Sequence, residues 1–137
     1  MTDIRLLKKQ IPTLTLVEFF NDVFNVKLTK LPRDIKVSEV KSILRKLIND
    51  NTIDGMIVVD TFDDVIQYFH ESLDGVMDIP NELLKYFDIV QFIIDVVKSK
   101  EFGIYNVEVS DESFYVIIFE PDLVFDEVSI VKSLEEL

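Results

Sequence analysis

Asp60, Asp63, Asp64, Glu71, Asp74, Asp78, Glu82, Asp88 and Asp95 crowd the stretch DTFDDVIQYFHESLDGVMDIPNELLKYFDIVQFIIDVV, residues 60 to 97, which holds a single lysine. Carboxylates at this density can do three things. They can hold a cation, form a solvated helix face, or present a polyanion to a protein surface built to grip nucleic acid.

Cation chemistry finds little support nearby. DNTIDGMIVVDT, from Asp50 to Thr61, imitates a calcium loop at Asp50, Thr52, Asp54 and Gly55. Its ninth position is Val58, however, and its twelfth is Thr61 where a bidentate glutamate belongs, so it reads as a turn. Asp60 and Asp64 could share Mg²⁺, but magnesium enzymes also need a phosphate cradle, and a chain with 3 glycines has no Gly-rich loop. His70, the lone histidine, falls at the edge of an apolar face, and no serine sits in a nucleophile elbow. No metal, no cofactor and no catalytic residue is expected, and the reading is of a protein that is not an enzyme.

Composition narrows the class. At 137 residues, with 48% hydrophobic and 11% aromatic residues, the chain can bury a core and is no disordered acidic tail. It has no cysteine, which excludes disulfides, thiolate nucleophiles and Cys-type zinc sites. Glu18 interrupts the first apolar run, so no signal peptide is read, and no stretch reaches the length of a membrane span. A cytoplasmic location is expected.

The net charge of −12 is unevenly spread: residues 1–50 carry 10 Lys and Arg against 6 Asp and Glu, whereas residues 51–137 carry 4 against 20. Such a field repels nucleic acid and anionic membranes and steers toward basic partners.

The elements that must position these acids follow from periodicity and capping. Thr15 and Glu18 form a capping-box pattern before LVEFFNDVF, with Val17, Phe20, Val23 and Phe24 on one face. Ser38 is placed to cap EVKSILRKLIND, which turns Val40, Ile43, Leu44, Leu47 and Ile48 inward and Lys41, Arg45 and Lys46 outward. MIVV, 56–59, is a short buried strand or an apolar link. Asp60 or Thr61 caps a third helix that stops near Asp74-Gly75, and a short helical turn follows Pro80. Asp88 opens IVQFIIDVVKSKEF, which Gly103 ends. IYNVEV, a four-residue SDES turn and FYVIIF read as a β-hairpin closed by Pro121. The tail is a helix using Val128, Val131 and Leu134, or a strand at EVSIV. The fold class is α+β: a helical, mildly basic part, 1–55, then acidic helices and a small antiparallel hairpin or sheet, 56–137, as two parts or one compact unit.

At about 100° per residue, Asp60, Asp63, Asp64, Glu71 and Asp74 share one stripe roughly 100° wide. Phe62, Val65, Ile66, Phe69 and Leu73 lie opposite. In the next helix Asp88, Gln91 and Asp95 point outward, and Phe92 falls near the acidic side as a candidate contact residue. Carboxylates one turn apart are spaced about 6 Å, on the scale of phosphates along a DNA strand.

DTFDDVIQYFHE, a Gly-containing link, IPNELLKYFD, FIIDVVKSKEF and the hairpin, together about residues 60–119, resemble the C-terminal region of the ArdA antirestriction family. The matching residues are Asp64-Val65, Tyr68-Phe69, Glu71, Ile79-Pro80, Leu83, Tyr86-Phe87-Asp88 and Asp95. Ile93-Ile94 stand where that family shows Gly-Arg, and its usual first domain has no counterpart here. The resemblance implies an elongated acidic homodimer, carried by a phage or mobile element. Such a dimer occupies the DNA-binding surface of a type I restriction-modification enzyme. It also implies a mimic surface made of Asp60, Asp63, Asp64, Glu71, Asp74, Asp78, Glu82, Asp88 and Asp95. A CRISPR effector or another DNA-dependent defence enzyme is an alternative target. Two rival readings remain: an immunity protein against a basic toxin nuclease, and an adaptor whose acidic face is merely solvated.

Overall fold

The computed structural model describes residues 2–24, 26–27, 35–76, 88–99, 102–119, 124–125 and 132, with no side-chain description for 72–76, 119 and 124–125. Its architecture is α+β: five helices and a four-stranded mixed sheet among the described residues. The helices are α1 (Ile4–Gln10), α2 (Leu16–Phe24), α3 (Val37–Asn49), α4 (Phe62–Val76) and α5 (Ile89–Ser99). The strands are β1 (Thr13–Thr15), β2 (Ile53–Asp54), β3 (Met56–Val59), β4 (Phe102–Val109), β5 (Glu112–Phe119) and β6 (Val124–Phe125).

The sheet runs β1-β4-β5-β3, with β1 parallel to β4 and the other pairs antiparallel; β2 and β6 form a separate two-stranded ladder. Helices cover both faces. On one, α2 and α3 bury Phe19, Phe20, Phe24, Val40, Leu44 and Leu47 against Val107, Phe114, Val116 and Ile118. On the other, α1, α4 and α5 bury Leu7, Val65, Phe69, Ile93 and Ile94 against Ile104 and Ile117. Coverage on both sides explains why β5 reads as an unbroken apolar run, FYVIIF: Phe114, Val116 and Ile118 enter one core, Tyr115 and Ile117 the other. MIVV is a strand for the same reason, with Met56 and Val58 on one side and Ile57 and Val59 on the other.

Segments 1–55 and 56–137 share this sheet. β1 hydrogen-bonds along β4, with Thr13 opposite Asn106, and α2 and α3 pack on strands from the later segment. α1 and β1 carry no expectation from the sequence. A seven-residue helix and a three-residue strand are too short for a periodic signal.

Capping explains the boundaries. The Thr15–Glu18 box forms, with the Glu18 N–H donating to Thr15 Oγ1 at 3.2 Å and the Thr15 N–H to Glu18 Oε1 at 3.3 Å. The buried face of α2 is Leu16, Phe19, Phe20 and Phe24; Val17 and Val23 are its half-buried margins. α3 begins at Val37, two residues before the start expected from a Ser38 cap, because the Glu39 carboxylate accepts the Lys36 backbone N–H. It ends in a Schellman motif: Asn51 takes φ 60°, its N–H donates to Ile48 O, and the Thr52 N–H reaches Leu47 O at 2.9 Å. The calcium-loop look-alike is this helix stop.

Two expectations need correction. Gly103 does not end the fourth long helix; α5 stops at Ser99, and Gly103 lies in β4 opposite Ile118. The hairpin turn is two residues, Ser110-Asp111, not four, because Ser110 accepts a left-handed φ of 57° and lets Val109 pair with Glu112. Val124–Phe125 form a strand paired with β2, an element for which the sequence carries no expectation. The turn after Pro80, Pro121, and the expectations for Val128, Val131 and Leu134 lie outside the described residues.

Candidate functional site: an acidic helix face and its cleft

α4 starts at Phe62 because Thr61, rather than Asp60, caps it. The Asp64 N–H donates to Thr61 Oγ1 at 3.2 Å, and the Thr61 N–H donates to Asp64 Oδ2 at 3.1 Å. Asp63 and Asp64 occupy the first turn, where the helix dipole favours negative charge. Phe62, Val65 and Phe69 are buried, and Asp63, Asp64, Gln67 and Glu71 are exposed. Gln67 Nε2 donates to Glu71 Oε1 at 3.0 Å, which steers that carboxylate along the helix surface.

Asp60 leaves this row. It sits in the bend before the helix, where Lys41 Nζ approaches its Oδ1 at 2.8 Å and Arg45 Nη2 at 3.2 Å. Both cations project from the outer face of α3, so the first acid of the expected stripe partly neutralises the basic helix. The Lys41 hydrogen bond, aided by the charges of both cations, holds the Asp60 carboxyl below its ordinary range.

Asp88 is also otherwise engaged. As N-cap of α5 it accepts the Gln91 N–H at 3.1 Å, while Thr2 donates its hydroxyl at 2.6 Å and its backbone N–H at 2.9 Å. These bonds, led by the Thr2 hydroxyl, lower the Asp88 pKa. The residue therefore ties the amino-terminal segment to α5 instead of extending a free row. Phe92 is half-buried and packs into the second core, so it is a packing residue more than an exposed contact. Asp95 is exposed and accepts Gln91 Nε2 at 2.9 Å. Asp74 falls within α4, but its side chain is not described, and Asp78 and Glu82 lie outside the described residues.

What the fold brings together is tighter than the row expected from sequence. Asp60, Asp64, Gln67, Tyr68 and Glu71 line a surface cleft of about 310 Å³ with Arg45, Val58 and Val59. Its floor is the end of β3, and its walls come from α3 and α4. Among the described residues Asp63, Asp64 and Glu71 have no lysine or arginine partner. Of these, Asp64 and Glu71 line the concavity, and together they suit a guanidinium or ammonium group, which they can bind by charge-assisted hydrogen bonds. Arg45, Gln67 and Tyr68 were not among the residues singled out by sequence. The wheel places Gln67 between the acids, but only the packing of α3 beside β3 brings Arg45 there.

Among the described residues no group of three or more His, Cys, Asp or Glu is placed to hold a metal ion, and no helix is long and apolar enough to cross a membrane. His70 is half-buried at the margin of α4. No family model, curated protein or solved structure matches the chain.

Proposed function

We propose that the protein is a non-enzymatic acidic inhibitor that docks on the basic DNA-binding surface of a host defence enzyme in the cytoplasm. A type I restriction-modification complex is the first candidate, and a CRISPR effector or another DNA-dependent defence enzyme the next. The observation that carries this reading is the exposed carboxylate face of α4, Asp63, Asp64 and Glu71, held on a helix whose other side is anchored in the core. Rigid acids at helical spacing compete for the lysines and arginines that bind phosphates, and they offer no base to read and no bond to cut. The likeness of residues 60–119 to the ArdA C-terminal region supports the same reading, as does the net charge of −12.

Pull-down from host lysate at low salt, eluted in salt steps, tests it. The captured target should be a DNA-binding defence enzyme that leaves as ionic strength rises, and duplex DNA should compete for it. Retention unchanged from low to high salt would remove the mechanism.

One observation favours a second reading. Among the described residues of the expected row, Asp60 and Asp88 are engaged internally, which leaves Asp63, Asp64 and Glu71 together on α4 beside a cleft and suits a local basic knob better than a long DNA groove. An immunity protein against a basic toxin nuclease would use such a surface. A toxin gene beside this one favours that role, and a phage or mobile-element setting favours antirestriction.

A further inference from the structure

On the sheet face covered by α1 and α4, one row crosses three strands: Thr13 on β1, Asn106 on β4 and Tyr115 on β5 stand directly opposite one another. On this face Ile104 and Ile117 lie to one side of the row and Thr15, Glu108 and Ser113 to the other, so the row is the polar margin of the core. Lys8 and Ile11 from the amino-terminal segment and Phe62 from α4 close over it, leaving a pocket of about 190 Å³.

The chemistry of the lining is specific. Asn106 Oδ1 is buried and has no hydrogen-bond partner, while its Nδ2 makes only a long 3.5 Å bond to Thr13 Oγ1. A buried acceptor left unmade is destabilising, and a donor brought in from outside would recover that loss. Lys8 Nζ stands 4.9 Å from the centroid of the Phe62 ring, and Lys8 has no anionic partner among the described residues. Phe62 and Tyr115 meet edge to face with centroids 5.9 Å apart and form an aromatic wall. The pocket thus offers a cation at its mouth, an apolar and aromatic wall, and an unpaired acceptor at its floor. Its volume equals roughly six waters, enough for one ring-sized molecule.

We propose that this pocket binds a small aromatic or cyclic carboxylate bearing a hydroxyl or N–H donor, its carboxylate on Lys8 and its donor on Asn106. The inference is independent of the acidic face: it uses other residues, and its ligand carries the opposite charge to the partner that face attracts.

The test is a ¹H–¹⁵N correlation titration of the whole chain with 4-hydroxybenzoate, benzoate and phenol, in wild type and in Lys8→Gln. In wild type, 4-hydroxybenzoate should shift the Asn106 side-chain amide and bind about tenfold more tightly than benzoate, which leaves Oδ1 unpaired. Lys8→Gln changes an exposed residue and should leave the fold intact. It should weaken both carboxylates about tenfold and leave phenol unchanged. If no probe moves the Asn106 amide at millimolar concentration, or if Lys8→Gln binds benzoate as well as wild type does, the proposal is overturned.

Discussion

Lys41 Nζ lies 2.8 Å from Asp60 Oδ1, joining the outer face of α3 to the bend that launches α4. The contact places a basic residue of the first fifty against the first acid of the acidic segment, so part of the charge asymmetry along the chain is cancelled within the fold. Asp60 is about half exposed, which limits what the pair contributes. In a double-mutant cycle with Lys41→Met and Asp60→Asn, read by urea unfolding, the coupling should be about 0.2–1 kcal/mol and should shrink in high salt.

Asp60 and Asp88 both have folded-state pKa values below the ordinary carboxylate range. A depressed carboxyl pKa contributes stability above the unfolded value, about 3.9, and that stability is lost as pH falls through the folded value. The Asp60→Asn and Asp88→Asn variants should therefore be less stable than wild type at neutral pH. The gap should narrow below about pH 4 and close in stronger acid, as measured by denaturant midpoints across pH. A gap that widened toward acid would contradict the contacts to Lys41 and Thr2.

Charge reversal separates the binding role of α4 from its folding role. Neither Asp63 nor Glu71 caps the helix, so in Asp63→Lys with Glu71→Lys reversal should cost about 0.3–1 kcal/mol at Asp63, through the helix dipole, and no more than about 0.5 kcal/mol at Glu71. If the acidic face binds a basic target, the same double variant should lose capture from lysate at low salt. Unchanged capture would leave the face as solvated surface. Asp64→Lys is a poorer probe because it also breaks the reciprocal cap with Thr61.

Removal of that cap has its own expected magnitude. Thr61→Ala should destabilise by about 0.5–2 kcal/mol at any ionic strength, while the smaller loss in Asp60→Ala, which breaks ion pairs and no cap of α4, should fade in high salt. Thermal unfolding of the two variants side by side checks the assignment.

The two cores predict different sensitivities. Phe114 is fully buried at the sheet centre, so Phe114→Ala should cost about 3–5 kcal/mol. Phe92 is half-buried at the margin of the second core, and Phe92→Ala should cost clearly less. Chemical denaturation of both variants measures the difference.

Much of the local structure was legible because it is encoded within one or two turns of chain. The Thr15–Glu18 box, the apolar stripes of α3 and α4, the hairpin of β4 and β5, and the stop after Asn49 all depend on residues no more than a few positions apart. The outward placement of Asp63, Asp64 and Glu71 follows from the same short-range periodicity. Gly103 misled because a glycine marks a helix end only when the chain there needs φ > 0. Here it begins a strand, where the ring of Tyr105 approaches the place a Cβ would take to 3.0 Å.

By itself, then, the sequence determined the longer helices and the hairpin strands, which faces are greasy, and that the charge is acidic and lopsided, since these are set by local propensity and composition. Tertiary structure alone decided how the acids are used. Asp60 turned to Lys41 and Arg45, Asp88 took hold of Thr2, and Thr13, Asn106 and Tyr115 met across three strands. Each of these meetings joins residues far apart in the chain, and no short-range pattern specifies them. They exist because burying both faces of the sheet fixes how helices and strands lie against one another.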